Sequence, residues 1–322
     1  MKKKWQLWLT SILAVFLLSA CGGTATEDKP KVNETPEVET VEEGTFPLTL
    51  TDAVGNEVTL ETAPATVVSM MPSNTEILFE LGLNEEIIGV SDYDDYPAEA
   101  LEKEKIGAQE FNVEAIVAMD PEIVFGHESA FGMAEDGYEQ IRAAGIPVFI
   151  VKNATNFDET YDTIETMGKA MGKAEKANEI IESMKAKVAE VLEKTDSVEN
   201  KKTVFVETSP APEIYTPGKN TFMQEILDMV GAENIAADEE GWVMMDPEVI
   251  VDKNPDVIVV MYDYIDTAVE DVYKRDGFDT ITAIKDEQVI QVDENITSRT
   301  GPRLAEGLEA IAKAIYPEVF GE

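Results

Sequence analysis

This 322-residue sequence holds one cysteine, one histidine and four arginines. The lone Cys21 excludes an intramolecular disulfide, and with His127 as the lone histidine the first shell of a zinc or manganese site cannot be filled with soft ligands. The four arginines, Arg142, Arg275, Arg299 and Arg303, offer few bidentate partners to a strongly anionic small molecule. No Gly-x-Ser-x-Gly stretch is present, and His127-Glu128 has no second histidine four residues on, so the signatures of a serine hydrolase and of a zinc protease are both missing. A net charge of −40 excludes nucleic acid, or an anionic bilayer face, as a partner bound by charge, and reads as solubility.

What is present begins with Lys2, Lys3 and Lys4, an apolar run from Leu7 to Leu18, and Leu18-Ser19-Ala20-Cys21. The run is too short to span a bilayer, and with its basic flank it reads as a secretory signal over residues 1–20. Leu-Ser-Ala-Cys followed by Gly22 resembles a bacterial lipobox, which implies cleavage before Cys21 and a lipid on its sulfur. Two or three acyl chains hold a protein durably at the extracytoplasmic face of a membrane, where one would not. Residues 21–45 contain Pro30, Pro36, threonines and many glutamates without apolar periodicity, the composition of a flexible tether. Folding is expected from Phe46, leaving enough chain for two cores.

From Phe157 to Lys194 apolar residues recur every three or four positions, among them Ile164, Met167, Met171, Ile181, Met184, Val188 and Val191, and no proline intervenes. The pattern predicts one long helix over 157–195, roughly 50 Å in length, which outreaches a single small domain and should touch two. Gly168 and Gly172 are the positions at which it could break. On either side the chain alternates strand and helix, the mark of a parallel α/β sheet. Strands are expected at Val67 to Met71, Ile87 to Val90, Ile123 to Gly126 and Val148 to Val151. Helices are expected at Ser73 to Gly82, with Glu76 completing a capping box, at Val113 to Met119 and at Tyr138 to Ala144. The layout returns after the long helix, with strands at Thr203 to Val206 and Val257 to Met261 and helices at Thr221 to Val230 and Glu248 to Lys253. Glu114-Ala115-Ile116-Val117-Ala118-Met119-Asp120-Pro121 matches Glu248-Val249-Ile250-Val251-Asp252-Lys253-Asn254-Pro255 in the glutamate, the Ile-Val pair and the proline. The expected fold is therefore α/β, two Rossmann-like lobes with parallel sheets, residues 46–156 and 196–322, joined by one long linking helix.

With these features in place, the closing segment Ser298-Arg299-Thr300-Gly301-Pro302-Arg303-Leu304, together with Pro72-Ser73-Asn74-Thr75-Glu76 and Gly89-Val90-Ser91-Asp92-Tyr93-Asp94-Asp95-Tyr96-Pro97, makes the sequence resemble the substrate-binding lipoproteins of ABC importers for iron-siderophores, haem and cobalamin, and most closely the cobalamin-binding branch. The resemblance implies a receptor, not an enzyme. It would work as a monomer that carries a corrinoid between its lobes to a permease dimer with a cytoplasmic ATPase, with no resident cofactor. It places Tyr93, Tyr215, Trp242 and Arg299 on corrinoid-contacting positions. His127 takes the place of a tryptophan of that pattern, Ala108 that of another, and Asn295 that of an aspartate. Tyr93, His127, Tyr215 and Trp242 are expected in loops; flat aromatic faces with a polar edge suit a large macrocycle, and strand ends are where such loops converge. The family also docks one glutamate of each lobe into arginine pockets of the permease, a role that falls on Glu114 and Glu248.

Two rivals keep the lobes. Haem or a ferric siderophore could use His127 as a metal ligand in company with Tyr93 or Tyr264. A zinc or manganese receptor has the same plan but lacks its histidines here. Catalysis by a surface hydrolase has no sequence support beyond abundant carboxylates.

Overall fold

The computed structural model describes residues 45–321. The expected signal peptide, the lipidated Cys21 and the tether up to residue 44 lie outside the described residues. Among the described residues no helix is long and apolar enough to cross a membrane.

An antiparallel hairpin of β1 (Leu48–Thr51) and β2 (Glu57–Leu60) precedes the first lobe. The lobe's sheet contains β3 (Val67–Ser69), β4 (Ile87–Val90), β5 (Glu104–Lys105), β6 (Ile123–His127) and β7 (Val148–Val151), all parallel, in the order β5-β4-β3-β6-β7. β3, β6 and β7 are buried along their whole length, as strands covered on both faces must be. The covering helices are α1 (Pro72–Glu80), α2 (Val113–Met119) and α3 (Glu128–Ala143).

Two expectations need correction here. α1 begins at Pro72, with Met71 as an N-cap whose side chain makes no capping bond, so the Ser73–Glu76 capping box does not form. Glu76 is turned to other partners instead. α3 starts at Glu128, ten residues before the expected Tyr138, because His127 serves as its N-cap; Gly132 and Gly137 dilute the helical pattern in that first half.

The single linking helix over 157–195 is also corrected, into a pair: α4 (Phe157–Ala170) and α5 (Ala174–Thr195). Gly172 sits at φ 65°, a left-handed conformation that ends helices and that residues with a Cβ adopt at a cost. The Lys173 amide then reaches back to the Gly168 carbonyl at 2.6 Å. A side chain at Gly168 would collide with the Ala177 Cβ, so the same two glycines that break the helix let α5 fold close against α4. One hydrophobic cluster runs from Phe125 of the first sheet through Ile164, Met167, Ile181 and Met184 of the helix pair to Val259 and Leu308 of the second lobe. The pair thus does the joining that one long helix was expected to do.

The second lobe repeats the plan with one strand fewer. Its sheet holds β8 (Thr203–Glu207), β10 (Glu233–Asn234), β12 (Val257–Val260) and β13 (Val289–Gln291), all parallel, in the order β10-β8-β12-β13. A separate antiparallel ribbon pairs β9 (Tyr215–Pro217) with β11 (Trp242–Met244). The helices are α6 (Phe222–Met229), α7 (Pro247–Lys253), α8 (Ala268–Tyr273), α9 (Thr282–Lys285), α10 (Glu294–Ser298), α11 (Leu304–Ile315) and α12 (Pro317–Phe320). Thr221 caps α6, accepting from the Gln224 amide at 3.1 Å. The Gln224 side chain completes no box, because it bonds Asp228 and Asn234.

The internal repeat is visible in the backbone. α2 and α7 have equal length, each buries one isoleucine, Ile116 or Ile250, and each stops at a left-handed residue, Asp120 or Asn254. The proline that follows forbids continuation. Glu114 and Glu248 lie exposed in the first turn of their helices, where the helix dipole favours a carboxylate.

Candidate functional site

The parallel strands of both lobes end at one cleft of about 500 Å3. Convergence at carboxyl ends follows from the topology, since each strand hands the chain to a loop on that side. The first lobe contributes Ser73 after β3, Tyr93 and Asp95 after β4, His127 at the end of β6 and Asn153 after β7. From the second come Phe222 at the start of α6, Asp263 after β12, and Glu294, Asn295 and Arg299 from α10 and its end.

Four of the six expected ligand contacts, Tyr93, His127, Asn295 and Arg299, therefore line one space. Tyr93 is 60% exposed and presents its ring to the opening. Its loop is held from behind: the Ser91 hydroxyl meets the buried Asp94 carboxylate at 2.5 Å, and Lys105 donates to the carbonyls of Ser91 and Asp94 at 3.1 and 2.6 Å. Burial raises the Asp94 carboxyl, against the lowering pull of its hydrogen bonds and of Lys105.

Arg299 is not free. Its Nη1 donates to Glu76 Oε1 at 2.9 Å and lies 2.8 Å from Asp95 Oδ1. Arg303 takes the other side of the same carboxylate, Nε to Oε2 at 2.9 Å and Nη2 to Oε1 at 2.7 Å, while its guanidinium stacks 3.6 Å above the Tyr96 ring. Glu76 is 1% exposed and belongs to the first lobe; both arginines belong to the second. Asn295 adds a bond across the same line, Nδ2 to Asp95 Oδ2 at 3.3 Å. Arg142 and Arg275, the remaining arginines of the chain, are paired with Asp52 and Glu207. The cleft lining thus carries three carboxylates, Asp95, Asp263 and Glu294, and a single cation that is already engaged.

His127 closes β6 rather than sitting in a loop as expected. Its ring is 5% exposed, and Nδ1 accepts from the Ser129 amide at 3.3 Å. Burial pushes the imidazole down to about 4, with Glu128 pulling weakly the other way, so the ring is neutral at ordinary pH. Among the described residues no group of three or more His, Cys, Asp or Glu side chains is arranged to hold a metal ion.

Tyr215 and Trp242 are corrected from loops to strands. Their ribbon pairs Trp242 with Pro217 and Met244 with Tyr215, so period-two alternation sets Tyr215, Trp242 and Met244 on one exposed face while Thr216 is buried on the other. Neither aromatic lines the cleft. Trp242 reaches it through Phe222, whose ring centroid lies 5.6 Å away. Phe222, Asp263 and Glu294 escaped the sequence reading, and Glu76 entered it as a capping residue, not as the partner of two arginines. Phe222 carried a local signal, being the first residue after Thr221; the pairing of Glu76 carried none, because its partners lie more than two hundred residues along the chain.

Two parallel α/β lobes sharing a core and opening one cleft at their strand ends define a bilobal solute receptor. Comparison with known proteins agrees. A model of the periplasmic binding protein family matches residues 67–296. The ABC transporter substrate-binding lipoprotein YvrC of Bacillus subtilis is 42% identical over the full length of both chains. A cobalamin-binding protein of Halobacterium salinarum is 30% identical, covering 84% of this chain and 74% of that one. A solved structure from Staphylococcus epidermidis, described as a possible iron-binding periplasmic solute-binding protein, is 35% identical with a TM-score of 0.72 and covers 79% of this chain and all of that one. The chain belongs to the periplasmic binding protein family, as the substrate-binding receptor of an ABC transporter in the group that serves iron-siderophores, haem and cobalamin.

Proposed function

We propose that this receptor binds cobalamin or a related corrinoid in the cleft and delivers it to the permease. The reading is carried by one observation: the single cation of the cleft lining, Arg299, is neutralised by Glu76 and Asp95, leaving aromatic faces, polar neutral groups and carboxylates. A carboxylate-bearing or otherwise anionic ligand would meet no free guanidinium there, and bringing it beside Asp95, Asp263 and Glu294 would be repulsive. A corrinoid is ringed by neutral carboxamides and offers a broad flat surface to Tyr93 and Phe222. Tyr215 and Trp242 join only for a ligand large enough to project beyond the cleft. The cobalamin-binding relative from Halobacterium salinarum supports the same reading. In this scheme Cys21 carries the lipid that anchors the monomeric receptor, and Glu114 and Glu248 meet the permease.

A second reading, haem or a ferric siderophore, is favoured by the possible iron-binding protein of Staphylococcus epidermidis. Calorimetric titration of the full chain in detergent with cyanocobalamin, haemin and a ferric hydroxamate separates the two. Tight one-to-one binding of cyanocobalamin is expected, weakened about tenfold by Tyr93→Ala and also by Trp242→Ala. Silence with cyanocobalamin and binding of haemin or the hydroxamate would keep the receptor and discard the corrinoid.

A further inference from the structure

His127 faces two ways. On one side it is the N-cap of α3: Nδ1 accepts from the Ser129 amide at 3.3 Å and lies 2.8 Å from the Ser129 hydroxyl. On the other it lines the cleft, and among the described residues Nε2 has no hydrogen-bond partner. A backbone N–H can only donate, so the capping bond from Ser129 requires an unprotonated Nδ1, with the Ser129 hydroxyl turned to donate to the same lone pair. In a neutral ring the proton must then sit on Nε2. We infer that His127 is a tautomer-locked N–H donor to the cleft, recognising a carbonyl acceptor on the ligand and not a metal ion.

The helix enforces the choice. Ligation of iron or cobalt through Nε2 would require that nitrogen to give up its proton to Nδ1, which would set two donors against each other at Ser129 and leave the start of α3 uncapped. Burial works in the same direction, because it keeps the ring neutral and so preserves a single proton to be placed. Across the cleft, Asp263 and Glu294 of the second lobe supply acceptors. A donor at one wall and acceptors at the other match a carboxamide, which has both a carbonyl and an N–H. This inference rests on the cleft being the ligand site, as proposed above, and narrows the recognised group to a neutral amide or hydroxamate carbonyl.

Because the chain has one histidine, uniform 13C,15N-histidine labelling reports a single imidazole. Magic-angle-spinning NMR of the full chain in lipid membranes should show the Nε2-protonated tautomer without ligand. With cyanocobalamin or ferrioxamine bound, the Nε2 resonance should shift while Nδ1 keeps its unprotonated signature. His127→Asn, which retains an excellent N-cap but a shorter reach, should leave the thermal midpoint near that of wild type and weaken the bound probe about tenfold. An Nδ1-protonated ring, an Nε2 signal that no bound probe moves, or a haemin Soret band that depends on His127 would each overturn the assignment. Binding of ferrioxamine but not cyanocobalamin, with the Nε2 shift, would sustain the donor and remove the corrinoid reading.

Discussion

Helix α2 of the first lobe and α7 of the second start with an exposed glutamate, bury one isoleucine and stop at a left-handed residue before proline, whereas the strands that follow them, β6 and β12, lead into unlike chemistry. In the register of the repeat, His127 corresponds to Met261 and Ser129 to Asp263. The first lobe therefore brings a neutral donor, an exposed tyrosine and Asp95 to the cleft, and the second brings Asp263, Glu294 and Arg299. Two copies of one supersecondary plan have kept what faces outward alike and made what faces inward complementary. A partner that touches both lobes equally can use the first property, and a ligand without symmetry needs the second.

The largest effect is expected on the shared half. Glu114→Ala combined with Glu248→Ala should abolish uptake in cells while ligand affinity, measured by calorimetry, stays at the wild-type value; weakened ligand binding in the double variant would mean that these glutamates do not serve docking. Long-range steering by exposed charge acts on encounter with the permease and not on the cleft.

Next comes the bridge between the lobes. Glu76→Ala strands Arg303 and leaves Arg299 with Asp95 alone, both guanidiniums being more than four-fifths buried, and should destabilise the fold by about 3–5 kcal/mol, read as a fall of about 10 °C in thermal midpoint. Glu207→Ala, which strands Arg275 and the Tyr262 hydroxyl inside the second lobe alone, should cost a similar amount. Only the Glu76 variant should also lower ligand affinity, because Arg299 lines the cleft; equal affinities in the two would sever the bridge from the site.

The third effect is smaller and confined to the first lobe. Folding holds His127 neutral down to about 4, while the unfolded chain protonates it near 6.5, so between those values the unfolded state binds more protons. Stability is level above pH 6.5 and declines as the pH falls toward 4, by on the order of 3 kcal/mol from this residue. Denaturant midpoints of wild type and His127→Asn, alike near neutrality, should separate on the acid side as the wild type falls below the variant; parallel curves would mean that burial does not govern the imidazole.

Periodic and local features of this structure could be read from sequence, and long-range ones could not. α2 runs over the expected residues and β4 has the expected limits, because their punctuation is local: a capping Asn112, a proline after Asp120, a short apolar run. The repeat pointed to equivalent positions in both lobes for the same reason. The break in the linking helix was written in Gly168 and Gly172, but apolar spacing alone does not show that a left-handed residue will turn the chain back on itself. α3 hid its start, since histidine is an uncommon cap beside Ser, Thr, Asp and Asn. Tyr215 and Trp242 read as loop residues because strands of three residues give alternation too little length to register. Of the expected site residues, Tyr93, His127, Asn295 and Arg299 line one space, yet the partner that neutralises Arg299 left no trace near it in the chain.

That bridge has a consequence in salt. Glu76, Asp95, Arg299 and Arg303 sum to no net charge, and three of the four are shielded from solvent, so dissolved ions gain little purchase on them. The rest of the molecule is strongly anionic, and its mutual repulsion is carried mostly by exposed glutamates and aspartates that counter-ions readily screen. Raising ionic strength therefore relaxes the force that pushes the acidic surface apart and leaves intact the clasp that holds the lobes together, which makes a saline exterior a favourable medium for this receptor.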